Sequence, residues 1–240
     1  MRIAIIGMGE IGKALLEVLR NKFPETPIFI KDLDKKKPVK VDYLHICYPY
    51  NWEFKDLTNE YVRQYQPKLT LVHTTTVIGT TRKIIGQAVH APLRGRHDNL
   101  VDGIRTYPIF FGYDDIYAME DALKYMSQWN AKPYPVFATE ASELAKLLSL
   151  TQYAFNIEFA RYAARCCKAY NVDYDDVVSK YTETYNRTIG ILEGPEYYKP
   201  KLTPPDGKIG GHCVLPAVEK LNAQVPNEIL KEILRVNKEA

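Results

Sequence analysis

The sequence predicts an α/β fold, in which a doubly wound, mostly parallel sheet over residues 1–138 is followed by an all-helical domain over 139–240. Three observations carry this reading. The chain opens on an apolar, β-rich run that meets a glycine-rich turn and then a helical pattern. Short apolar strand candidates alternate with helix candidates as far as about residue 136. After Thr139 the alternation stops, and about thirty positions carry apolar residues at helical spacing.

Residues 2–6, RIAII, form the first strand, and Gly7-Met8-Gly9-Glu10-Ile11-Gly12 follows at once. Lys13 to Leu19 has helical apolar spacing. A second strand, Pro27 to Ile30, ends near Asp32, twenty residues after the last glycine. This is G-x-G-x-x-G between a strand and a helix with an acid at the expected distance. Gly7 permits the tight turn, Gly9 lets a pyrophosphate approach the backbone, and Gly12 lets the helix lie close to the strand. The phosphates would rest on free N–H groups at the positive end of the helix dipole. A glycine turn in an unrelated α/β protein has the triplet without strand, helix and acid together. The pattern therefore predicts a Rossmann-type dinucleotide site lined by Gly7, Gly9, Glu10, Ile11 and Gly12. Asp32 would accept hydrogen bonds from the adenosine ribose and repel a 2′-phosphate, which favours NAD over NADP. The run Lys35-Lys36-Lys37 reads either as a binder of that phosphate or as a solvated loop. Asp32 holds the contact position, so NAD is the expected cofactor.

Further strands are predicted at 42–47, 69–73, 88–91, 107–112 and 133–137, and helices at 53–65 and 114–129, with a short one after Gly79. A long buried helix at 140–169 precedes another at 173–185, a Gly/Pro-rich stretch at 190–211, and helices near 214–222 and 226–238. The composition is 46% hydrophobic and 25% charged over 240 residues, enough for a real core. A net charge of +3 argues against nucleic acid or a membrane surface as partner. No apolar run approaches the roughly 20 residues that span a bilayer, and the chain opens on a strand instead of an export signal. Cys47, Cys166, Cys167 and Cys213 show neither a disulfide framework nor a zinc spacing. A cytoplasmic protein without a metal is expected. The 18 tyrosines read as half-buried packing residues.

Gly210-Gly211-His212-Cys213 leads into a predicted helix. A thiol beside paired glycines leaves room for a substrate, and a helix N-terminus favours the thiolate. On the residues alone, a small buried hydrophobe is the simpler reading of Cys213, and a snorkelling surface lysine the simpler reading of Lys146.

The segment DGKIGGHCVLPAVEKL (206–221) resembles the catalytic-cysteine segment of the UDP-glucose/GDP-mannose dehydrogenase family. It is most similar to the branch that oxidises UDP-N-acetylmannosamine, whose loop also carries Gly-Gly-His-Cys. Other segments resemble that family in the same order. GMGEIG (7–12) resembles its dinucleotide loop and HICYPY (45–50) its third-strand segment. HTTTVIGTT (73–81) resembles its Ser-Thr-Val…Gly-Thr-Thr turn, one residue shorter. HAPLRGRHDNLVDGI (90–104) is similar to the segment before its sixth strand. EASELAKLLSLTQYAFNIEFA (140–160) is similar to the helix bearing its lysine, and ILKEILRVN (229–237) to the start of its long central helix. The resemblance implies oxidation of an alcohol to an aldehyde, capture as a thiohemiacetal on the cysteine, and a second hydride transfer to a thioester that water releases as the acid. It implies that Cys213 is the nucleophile, that Lys146 stabilises oxyanion charge, and that Thr76 stands near the nicotinamide or the reacting water. It adds Tyr48, Pro49 and Thr75 to the cofactor site. Gly210, Gly211 and His212 become substrate contacts, with a nucleotide sugar as substrate class. It also implies a homodimer built on the helices at 140–169 and 226–238, whose apolar periodicity leaves an exposed stripe.

The departures from the family are specific. Leu93 stands where the family has glutamate, Leu150 where it has asparagine, and Ala217 and Val218 lie where it has aspartate. Leucine neither transfers a proton nor donates a hydrogen bond, and thioester hydrolysis needs both kinds of help. The resemblance also stops before the family's C-terminal nucleotide-sugar-binding domain. Two other readings stay open. One is an NAD-binding protein without turnover, a sensor or a subunit with a degenerate site. The other is a two-electron reductase similar to the β-hydroxyacid dehydrogenases, whose Gly-x-x-x-Lys-x-x-x-Asn pattern is broken here by Ser142 and Leu150.

The cofactor reading is open to calorimetry. NAD should bind more tightly than NADP, and Asp32→Ala should narrow the gap. NADP binding about tenfold the tighter, a preference of about 1.4 kcal/mol, would overturn the role of Asp32.

Overall fold

The computed structural model describes residues 1–31, 39–130 and 132–239, and its contacts divide the chain into two compact units, 1–146 and 147–240. The first unit is built on a seven-stranded sheet. Its strands are β1 (Ile3–Ile6), β2 (Ile28–Lys31), β3 (Tyr43–Ile46), β4 (Leu69–Val72), β5 (Ala88–His90), β6 (Ile109–Tyr113) and β7 (Pro133–Phe137). They lie in the order β2-β1-β3-β4-β5-β6-β7. Every neighbouring pair is parallel except β5 and β6. From β1 the chain steps one way to β2 and the other way to β3, β4 and β5. That reversal is the switch point at which doubly wound sheets leave a crevice beyond the carboxyl ends of their strands.

Apolar side chains on both faces of the strands explain the helical layers. Ile3 and Ile5 on β1 face one way, into a core shared with α1 (Glu10–Lys22), α3 (Leu100–Thr106) and α4 (Ile116–Met126). Ala4 and Ile6 face the other way, towards Phe54, Val62 and Tyr65 of α2 (Phe54–Tyr65). Each fully buried leucine or isoleucine in these layers contributes roughly 2 kcal/mol of apolar burial. The short element after Gly79 is a single 3₁₀ turn, Thr81–Lys83.

The long helix α5 runs from Thr139 to Ala169, and its opening turns, to Lys146, belong to the first unit. The second unit holds the remainder of α5, a six-residue π-helical stretch (Asp175–Lys180) and α6 (Tyr181–Leu192). It ends with α7 (Val214–Gln224) and α8 (Glu228–Glu239), which pack on each other and bury Ala217, Val218, Leu221, Leu230 and Ile233. Among the described residues, no helix is long and apolar enough to cross a membrane.

A chain of polar groups crosses the first core in one direction. The Tyr125 hydroxyl lies 2.9 Å from His45 Nε2, His45 Nδ1 lies 2.7 Å from His73 Nε2, and His73 Nδ1 lies 2.6 Å from the Ala91 carbonyl. A carbonyl only accepts, so His73 carries its proton on Nδ1, His45 donates to His73, and Tyr125 donates to His45. All three links use neutral imidazoles. His90 is buried nearby, between the Thr74 carbonyl at 3.1 Å and Ser142 Oγ at 2.8 Å.

Burial pushes His73 down to about 4 and His90 to about 3, and holds His45 well below the usual imidazole range. The folded values lie below the unfolded value of about 6.5, so between them the unfolded chain binds the more protons. Stability is therefore complete above about pH 6.5 and is lost as pH falls through that value, by about 1.4 kcal/mol per pH unit for each histidine. The thermal midpoint should fall steadily from about pH 7 to about pH 5, and His73→Asn should flatten the slope by about one proton. A midpoint independent of pH over this range would contradict the neutral chain.

Candidate functional site

The register of the central strands lines up their ends. Ile6 pairs with Lys31 and Ile46, Ile46 with Val72, and Val72 with His90. The segments that follow, at Gly7, Cys47-Tyr48, His73-Thr74 and Ala91, therefore leave the sheet side by side.

Gly7 has φ +93, a left-handed conformation, and a Cβ there would stand 2.6 Å from Tyr48 N. Only glycine makes this turn against this neighbour. A Cβ on Gly12 would fall inside the Gly7 carbonyl oxygen, so the first turn of α1 is pressed onto the strand end. A Cβ on Gly9 would meet open space. Gly9 caps α1 without a side-chain hydrogen bond, and Glu10 and Ile11 open the first turn of the helix. These features suit a pyrophosphate, with room for it at Gly9 and donors for it at the helix end. Asp32 and Lys35, Lys36 and Lys37 lie outside the described residues.

Tyr48 turns its hydroxyl back to α2, 2.5 Å from Thr58 Oγ1, and Pro49 is exposed. Burial pushes the Cys47 thiol up. The loop after β4 holds Thr75 half-buried and Thr76 buried. Thr74 Oγ1 donates to the Tyr48 carbonyl at 2.7 Å. Thr76 Oγ1 donates to Glu143 Oε1 on α5 at 3.1 Å. The same carboxylate accepts from Gly79 N at 2.6 Å, Thr81 N at 2.8 Å and Thr81 Oγ1 at 2.7 Å. Burial pushes the Glu143 carboxyl up, while the four donors pull it back. One turn further on, Lys146 is half-buried and its Nζ donates to the Leu93 carbonyl at 3.4 Å. Leu93 itself is 3% exposed. Among the described residues, no cluster of three or more His, Cys, Asp or Glu side chains is arranged to hold a metal ion.

The cysteine loop belongs to the second unit. Gly210, Gly211, His212 and Cys213 are all exposed, and Cys213 is the N-cap of α7. The approach to it is pinned at two points. Arg161 on α5, paired with Glu158 at 2.6 Å, donates to the Gly207 carbonyl. Ile209 N donates to Asn237 Oδ1 on α8 at 2.5 Å. Lys220, two turns along α7, is lowered by burial, against the pull of the neighbouring Glu219.

The structure brings Gly7, Gly12, Tyr48, Thr76 and Lys146 into one unit and leaves Cys213 with its glycines in the other. Glu143 and His90 were not singled out from sequence, and Ser142 only as a departure from the reductase pattern. Their spacing to Lys146 was visible, but their partners were not. Arg161 and Asn237 support the approach to the cysteine loop and were missed for the same reason.

No protein-family model matches the sequence, and no curated protein matches it. Solved structures share the fold at low identity. A UDP-D-ManNAc dehydrogenase from Pyrococcus horikoshii aligns with TM-score 0.80 and 16% identity over 99% of this chain and 68% of that one. A 3-hydroxyisobutyrate dehydrogenase from Mycobacterium tuberculosis aligns with TM-score 0.76 and 13% identity over 99% of this chain and 92% of that one. A GDP-mannose dehydrogenase from Pseudomonas aeruginosa aligns with TM-score 0.64 and 17% identity over 100% of this chain and 69% of that one. At these identities the likeness is one of fold.

Proposed function

We propose that the chain is an NAD-dependent dehydrogenase that oxidises an alcohol or aldehyde and is related to the nucleotide-sugar 6-dehydrogenases. The observation that carries the reading is the β1–α1 turn. Gly7 is left-handed, Gly12 touches the Gly7 carbonyl, and Gly9 stands in front of an uncapped helix end. That cradle fits a dinucleotide, held by Gly7, Gly9, Glu10, Ile11 and Gly12, with Tyr48, Pro49 and Thr75 along the neighbouring strand ends. When bound, the nicotinamide supplies the hydride acceptor. The remaining chemistry falls to side chains. The Lys146 ammonium stabilises charge on the substrate oxygen as the hydroxyl proton passes to solvent water. The Cys213 sulfur adds to the aldehyde carbon and its proton passes to the carbonyl oxygen, giving a thiohemiacetal. Gly210, Gly211 and His212 leave the thiol accessible to a substrate, for which a nucleotide sugar is the proposed class.

A second reading, an NAD-binding protein without turnover, is favoured by one specific observation. Buried Leu93 fills the position where the resembled family has glutamate, and Thr76 gives its hydroxyl to Glu143. Neither is then available to handle a proton.

The deciding experiment incubates the protein with NAD and a panel of sugar nucleotides, hydroxyacids and simple alcohols while following NADH. At least one member should give NADH, and Lys146→Met should slow it by roughly 100-fold. In parallel, brief iodoacetamide treatment and peptide mapping should find Cys213 alkylated faster than Cys47, Cys166 and Cys167, at a rate that NAD alters. Retained NAD binding with no NADH from any substrate, and a Cys213 no faster than Cys166, would establish the second reading.

We also propose a homodimer. Phe159 and Tyr162 on α5 are 66% and 57% exposed. They line an apolar cleft of about 460 Å³ in the second unit together with Cys166, Tyr170, Val177 and Tyr181. An uncovered aromatic face of this kind suits a second copy. Light scattering at tens of micromolar should give the dimer mass, and a monomer there would remove the proposal.

A further inference from the structure

Solvent does not reach Glu143, and its carboxylate takes four hydrogen bonds, all from one loop. We propose that Glu143 is a positioning residue for the nicotinamide half of the cofactor, holding the Thr74–Thr81 loop in the conformation that receives it. The inference rests on the NAD reading above.

Sheet order assigns the loop to that half. The acid that would take the adenosine ribose follows β2, on one side of β1, whereas β3 and β4 lie on the other side. A dinucleotide whose pyrophosphate sits over Gly9 must extend its second half over the ends of β3 and β4. Strands lie about 4.8 Å apart, so the β4 end is about 10 Å from β1, within reach of that half. The loop that leaves β4 begins with His73, Thr74, Thr75 and Thr76.

Side-chain bonds tie this loop at both ends. At its start Thr74 is tied to the Tyr48 carbonyl by its hydroxyl and to His90 by its own carbonyl. At its far end Gly79 has φ +83, which turns its N–H towards the same carboxylate that Thr81 meets with both N–H and hydroxyl. Backbone N–H groups two residues apart thus meet an anion that belongs to the protein, and Thr76 adds a hydroxyl to the oxygen that Thr81 also meets. All four groups, from three residues, donate, and a carboxylate offers acceptors on both of its oxygens. Ser142, the preceding residue, bonds His90 and so holds the same turn of α5 to the sheet. Lys146, one turn on from Glu143, thus shares its footing with the loop.

An amide in place of the carboxylate keeps the shape and loses the acceptor. In Glu143→Gln the NH₂ group faces a buried donor, so the loop must open to find water. A purely structural role would weaken every ligand alike, whereas positioning weakens only the nicotinamide half. The test is calorimetric titration of NADH and of ADP-ribose, which lacks that half, into wild type, Glu143→Gln, Thr81→Ala and Thr81→Ser. Glu143→Gln should bind NADH about tenfold more weakly and leave ADP-ribose within about twofold. Thr81→Ala should show the same selectivity to a smaller extent, and Thr81→Ser should restore NADH affinity. Equal losses for both ligands, or no loss for either, overturn the proposal. If Glu143→Gln does not fold, the Thr81 pair decides on the same criterion. Failure of wild type to bind ADP-ribose as well as NADH instead overturns the NAD reading itself, and the inference falls with it.

Discussion

Helix α1 and the sheet meet most closely where Gly12 lies against the carbonyl of Gly7, and the candidate cofactor site takes its dimensions from that contact. A side chain at either position would occupy space already held by backbone. The helix would then retreat, and its N-terminus would leave the mouth of the crevice. Strand register does the rest. Because Ile6, Ile46, Val72 and His90 stand in line, fixing the end of β1 also fixes where the next three loops emerge. Tyr48, whose backbone presses on Gly7, is the first of these and passes the constraint on to Thr74.

What the sequence shows depends on how far each signal reaches. The helix beginning at Thr139 is legible because its apolar spacing runs uninterrupted for about thirty positions. The helix α3, Leu100–Thr106, has no such signal in the sequence. Its seven residues give less than two full turns of pattern and include Gly103, which suits a close approach to Gly95 and weakens a helix seen in isolation. The helix read at 173–185 opens as a π-helical stretch and continues to Leu192, since α6 carries on through a sequence that offers glycine at 190. The antiparallel placement of β6 against β5 also has no local signature.

The same distinction divides the candidate site. The glycine loop is legible because its demands are local, on φ and on clearance between residues five apart. Glu143 meets partners 62 to 67 positions away, and no spacing rule links a helix residue to a loop across such a gap. Ser142 breaks the reductase pattern on paper, and the structure supplies a reason for it, since its hydroxyl meets the otherwise unpaired Nδ1 of His90. The buried polar groups follow one rule. A histidine gives one donor and one acceptor and is threaded into a directed chain, whereas a carboxylate gives only acceptors and is ringed by donors.

The position of Trp129 has a spectroscopic consequence. The chain has two tryptophans, and both fall before residue 147. Trp52 is 86% exposed, whereas Trp129 is 6% exposed and stands edge-on to His45 and Tyr125, with ring centroids 6.3 Å and 5.9 Å away. The two indoles therefore emit from different environments, one aqueous and one dry, and a soluble quencher reaches only the first. Residues 147–240 contain no indole and stay dark under tryptophan excitation. Indole emission thus follows the first unit alone, backbone dichroism follows both, and one unlabelled sample distinguishes the loss of one unit from the loss of the other.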